Sequence, residues 1–185
     1  MGNLGLGGAR PWRLGARARK SVLVVHIASA GAWIGIDVVM GVLVFTAVFA
    51  GDDETKALSL RALELFAIGP LLSTGLLCLA SGVVLGLGTK WGLVRYWWLA
   101  IKLVLNVVLV ALVAFLLRPG VAEVAEHGRR FVAGEPATLA VGDMVFPPVV
   151  STSALLIATV LAVFKPWGRI PKLRASKGAR GADRP

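Results

Sequence analysis

The sequence predicts an all-α membrane protein, a four-transmembrane-helix bundle with both termini in the cytoplasm (N-in/C-in), on three observations. Hydrophobic residues make up 57% of the chain and charged residues 16%, with a mean hydropathy of +0.79; a soluble domain usually carries nearer a quarter charged. The apolar residues fall into four blocks, each long enough for a crossing of roughly 20 residues. The charge is sorted by block. Before the first block, between the second and third, and after the fourth lie fourteen bases against one acid, Asp183; the other two connections carry five bases against eight acids. Lys and Arg are retained on the cytoplasmic side, so the three basic segments are expected inside, and an even number of crossings agrees. With basic residues spent on orientation and no folded reader domain, the net charge of +10 points to anionic headgroups at the cytoplasmic face and not to nucleic acid.

In chain order, about 1–20 is a basic cytoplasmic segment, about 21–164 the transmembrane domain, and about 165–185 a basic, polar tail with nothing to bury. The first helix, about 21–50, is roughly twice as long as a signal-peptide apolar region, so it reads as an uncleaved, tilted crossing. "GDDETK" follows, with Asp52 or Asp53 placed to cap the next helix. That helix, about 58–87, contains Pro70, which is expected to kink its entrance. The third, about 96–117, opens on Tyr96, Trp97 and Trp98, which with Trp91 suit an interfacial aromatic belt, and is expected to end at Arg118–Pro119. Part of the next segment has a loose helical spacing through Val121, Val124, Ala125, Phe131 and Val132 and is expected to lie flat on the membrane. The fourth helix, about 145–164, carries Pro147 and Pro148 in its first turn, where missing amide hydrogens matter least. GxxxG spacing pairs Gly31 with Gly35 and Gly82 with Gly86; such pairs allow close helix packing, within the chain or against a partner.

Ionisable residues within a span are expensive and by default functional candidates. Here they are His26, Asp37 and Lys102, with Asn106 as an uncharged fourth. At about 100° per residue, His26, Trp33 and Asp37 share one stripe of the first helix, and Gly31 and Gly35 lie on its opposite side. At about 1.5 Å rise per residue, His26 sits roughly 8 Å and Lys102 roughly 12 Å from the cytoplasmic edge, at one level; Asp37, about 16 Å above His26, is expected to meet Asn106. The bland readings are that Lys102 snorkels to the headgroups, His26 donates to a backbone carbonyl, and Asp37 serves only helix contact. Thr74, Cys78 and Ser81 on the second helix, and Ser151, Thr152, Ser153 and Thr159 on the fourth, read as packing contacts. The lone Cys78 excludes an intrachain disulfide framework and a thiolate zinc site.

"HIASAGAWIGI", with His26, Trp33 and Gly35 at offsets 0, 7 and 9, resembles the first helix of a set of small bacterial membrane families, and "RYWWLAIKLVL", ending in the region of Lys102, resembles their third. The set comprises the copper-resistance D-type proteins, the four-helix protoporphyrinogen oxidase, and an uncharacterised family of integral membrane proteins of similar size. The oxidase resemblance implies a functional histidine at His26, a functional lysine at Lys102 and haem b, with His26 as the metal ligand and Trp33 beside it. A second intramembrane histidine is absent, His127 lying outside the spans. A soft copper site would need Met and Cys ligands, but Met40, Met144 and Cys78 do not converge. The expectation is a cell-membrane protein binding haem or a related tetrapyrrole. The alternatives are a noncatalytic subunit, as a homo-oligomer or with a membrane partner, packing through glycine faces, and metal or small-solute transport.

Overall fold

The computed structural model describes residues 13–89, 96–164 and 168. The expected basic tail, Trp91, Lys90 and Arg95 lie outside the described residues. The elements are α1 (Ala16–Phe49), α2 (Asp53–Ala67), α3 (Gly69–Gly88), α4 (Trp97–Leu112), a π-helical turn (Val113–Leu117), α5 (Arg118–Val132), a 3-10 turn (Gly142–Val145) and α6 (Phe146–Phe164). They form four rods long and apolar enough to cross a membrane: α1, α2 with α3, α4 with α5, and the 3-10 turn with α6. The molecule is thus a multi-pass helical bundle. Its rods run alternately from a basic end, where Arg13, Arg17, Arg19 and Lys20 lie, to an acidic end at Asp52, Asp53 and Glu54.

The second and third rods have 36 residues each, about 54 Å at 1.5 Å per residue, well beyond a hydrocarbon core of about 30 Å. Sequence explains how the surplus is used. Asp52 caps α2, its carboxylate accepting the Thr55 amide at 2.7 Å, and Asp53 and Glu54 in the first turn suit the positive end of the helix. α2 is amphipathic and buries Ala57, Leu60, Leu63 and Ala67. A new helix begins at Gly69, directly after the break at Ile68, with Pro70, which lacks an amide hydrogen, in its first turn.

The third rod departs from expectation at Pro119. The helix does not end there. The Arg118 amide bonds to the Val113 carbonyl five residues back, and this wider turn admits a proline that a regular helix would reject. α5 then continues, burying Val121, Val124, Ala125 and Gly128. The stretch expected to lie on the membrane is therefore helical but packs against α2, because its apolar face meets the apolar face of α2. Gly128 permits the contact: a Cβ there would stand 2.7 Å from the Ala57 carbonyl oxygen. Arg129 joins Glu64 and Glu126 across and along this hairpin, and these half-exposed ion pairs add little beside the apolar contact.

The core of the bundle runs along α1 through Trp33, Met40, Val44 and Ala47, meeting Leu71 and Cys78 of α3, Leu109 of α4 and Leu155 of α6. Trp33 is fully buried, and Gly75 of α3 gives it room, since a Cβ at Gly75 would lie 2.9 Å from the indole ring. At the basic end the Leu14 amide donates to the Gly88 carbonyl at 3.0 Å, holding the start of α1 against the end of α3.

Candidate functional site

In the basic half of the bundle, α1, α3, α4 and α6 stand apart around a cavity of about 600 Å³, within the usual range of small-ligand sites. Small side chains make the space: Ala30 on α1, Gly82 and Gly86 on α3, and Ala154, Ala158 and Ala162 at four-residue intervals on α6. His26, Cys78, Lys102 and Asn106 line it, with Arg19 and Lys20 at the basic end and Leu109 and Leu155 deeper in.

His26 is held in one orientation. Its Nδ1 lies 3.0 Å from the Cys78 carbonyl oxygen and 3.1 Å from Ser81 Oγ. A carbonyl only accepts, and the Ser81 hydroxyl is placed to donate to the Leu77 carbonyl at 2.7 Å, so Nδ1 carries the proton. Nε2 makes no hydrogen bond among the described residues. A neutral imidazole with Nδ1–H on a backbone carbonyl is the form in which Nε2 offers its lone pair to a metal or a donor. Gly82 gives the ring its place; a Cβ there would lie 3.2 Å from Cε1. The hydrogen bond to a carbonyl and the ligand reading of His26 are therefore compatible.

Lys102 lines the same cavity as His26, and it has no ion-pair or hydrogen-bond partner among the described residues. One turn along α4, Asn106 donates from Nδ2 to Cys78 Sγ at 3.4 Å, while its buried Oδ1 has no hydrogen-bond partner among the described residues.

Asp37 and Asn106 do not meet. Asp37, 2% exposed, accepts the Ser151 hydroxyl at 2.6 Å, which ties α1 to α6. Nearness in depth was the basis for expecting an Asp37–Asn106 pair, but depth fixes position along the axis and not which neighbouring helix a side chain faces. Ser151, read from the sequence as a packing residue, is the partner that this reasoning missed; its signal was its place in the first turns of α6, opposite the middle of α1. Trp33 is packed among α1, α3 and α4, outside the cavity lining, with its indole Nε1 buried and without a hydrogen-bond partner among the described residues.

The two glycine pairs differ. Gly82 and Gly86 line the cavity. Gly31 and Gly35 are exposed, and a Cβ at either would meet nothing within 4 Å, so they pack against nothing among the described residues. Among the described residues no group of three or more His, Cys, Asp or Glu side chains could hold a metal ion. Comparison with protein-family models, with curated proteins and with solved structures finds no match to the chain.

Proposed function

We propose that the protein binds haem b or a related tetrapyrrole in the cavity between α1, α3, α4 and α6, in a membrane redox role. The observation that carries the reading is the setting of His26, which lines a chamber of about 600 Å³ with its Nδ1 3.0 Å from the Cys78 carbonyl oxygen and its Nε2 without a hydrogen bond among the described residues. His26 would hold the iron and Lys102 a ligand carboxylate; bound haem would supply one-electron chemistry. The chain's own contribution is to orient the imidazole through Cys78 and Ser81, exclude water with the apolar walls, and place a cation beside the ligand. The resemblance of the His26, Trp33, Gly35 and Lys102 pattern to the oxidase family points the same way. The test is an absorption spectrum, oxidised and dithionite-reduced, of protein purified from cells with ample haem. A Soret band lost in His26→Ala, with insertion unchanged, is expected; a preparation without a band overturns the reading.

A second reading is favoured by the exposure of Gly31 and Gly35: α1 packs through this face against a second copy or another membrane protein. Gly31→Leu with Gly35→Leu is then expected to abolish crosslinked complexes in native membranes while the monomer still folds. Unchanged complexes exclude it.

We also propose that the basic end faces the cytoplasm in a cell membrane, on the distribution of Lys and Arg. Reporter fusions at either terminus are expected to be active only as cytoplasmic reporters.

A further inference from the structure

The cavity has a charge pattern that topology alone does not require. Arg19 and Lys20 line it together with Lys102 and His26, and none of the described residues that line it is acidic. Arg19, Lys20 and Lys102 have no ion-pair or hydrogen-bond partner among the described residues. Arg19 and Lys20 are exposed at the basic end of α1, whereas Lys102 is half-buried on α4. Arg19 and Lys20 thus line the cavity at the basic end and Lys102 further along its wall, while Leu109, Leu155 and Ala154 line it toward the middle of the bundle. A cation facing a membrane cavity with no counter-charge is expensive, and the expense is relieved by an anion brought by the ligand.

We infer that the cavity selects an amphiphile bearing a carboxylate or phosphate, held with its acid at Arg19, Lys20 and Lys102 and its apolar body pointing toward Leu109 and Leu155. This deepens the proposed function by naming the ligand's charge and orientation. The same chemistry is offered by a free acidic ligand and by the head of an anionic lipid, whose position at the bilayer surface matches that of Arg19 and Lys20.

The test uses the full chain in phosphatidylcholine nanodiscs and two probe pairs, protoporphyrin IX against its dimethyl ester and cis-parinaric acid against its methyl ester, followed by fluorescence. At least one acid is expected to bind about tenfold or more tightly than its ester, with the preference reduced to less than about threefold in Arg19→Gln/Lys20→Gln and in Lys102→Met, and retained in Lys102→Arg. Retention in the last variant separates loss of charge from loss of fold. Equal binding of acid and ester in both pairs, or failure of all four probes to bind, overturns the inference. A His26-dependent Soret band without acid preference overturns it while leaving the haem reading intact. Acid preference in the parinarate pair alone supports it and removes the tetrapyrrole. Repeating the titration with phosphatidylglycerol in the disc identifies the source: competition assigns the three cations to lipid heads, and its absence assigns them to a free acidic ligand.

Discussion

Single atoms decide the packing at several points in this bundle. Trp33 fills the junction of α1, α3 and α4 only because Gly75 has no side chain. The indole is fully buried and cannot swing away, so Gly75→Ala forces overpacking, typically ~1–3 kcal/mol. A loss of that size is expected in reversible unfolding in mixed micelles; an unchanged midpoint would show that the three helices can part without penalty. At this scale the sequence told a partial story. The stripe of His26, Trp33 and Asp37 was readable from spacing, because position around one helix follows from 100° per residue. The partners across helices were not. Asp37 bonds to Ser151 and Asn106 to Cys78, and such pairings depend on helix rotation and neighbour order, which no single-helix pattern contains. Trp33 illustrates the same limit: its stripe is shared with His26, yet its ring enters the core and not the cavity.

Among elements, the α2–α5 hairpin extends the second and third rods at the acidic end. Its closest approach runs over Gly128, where any side chain would meet the Ala57 backbone. Gly128→Leu is expected to strip hydrogen-exchange protection from α2 and α5 while α3 and α4 remain protected; loss throughout would mean that the hairpin and bundle fold as one unit. The start of α2 has its own pH dependence. Asp52 accepts the Thr55 amide, and the Thr55 hydroxyl also favours the charged form, so the carboxyl is held below the usual aspartate range. A depressed folded pKa means that the cap's contribution is present at neutral pH and is lost as the pH falls through that lowered value. The protection factor of the Thr55 amide, its exchange rate relative to the intrinsic rate at each pH, is expected to fall only in that acidic window, and Asp52→Asn to flatten the response. These elements were half legible. The Asp52 cap and Pro70 announce themselves by residue type, but Pro119 reads as a stop until a wider turn is seen to accommodate it.

At the scale of the whole molecule, four apolar blocks and alternating charge were enough to read a four-rod bundle, because burial of backbone polar groups in lipid leaves helices as the economical solution. The cavity was less visible. It arises where alanines and glycines on different rods face one another, at Ala30, Gly82, Ala154 and Ala158, and their coincidence requires the assembled bundle. The π-helical turn has a consequence for the entire third rod. In a regular helix, positions four apart drift by about 40° per step, yet Leu109, Val113, Leu117 and Val121 are all buried. The five-residue closure from Arg118 to Val113 takes up one residue more than a straight rod needs, and so keeps the cavity wall of α4 and the hairpin face of α5 each aimed at its own neighbour. The chain thus carries a spare residue, lodged beside the one proline that a straight rod would refuse. Deleting Ala114 alone is expected to destabilise the protein by bringing Pro119 into a regular turn, whereas the same deletion with Pro119→Ala is expected to restore both membrane insertion and α2–α5 protection. Failure of the paired variant would show that the two halves of the rod are set by contacts alone. If it succeeds, rod length here is adjustable by single residues without turning either face away from its partner, a place where insertions and deletions can accumulate inside a membrane helix.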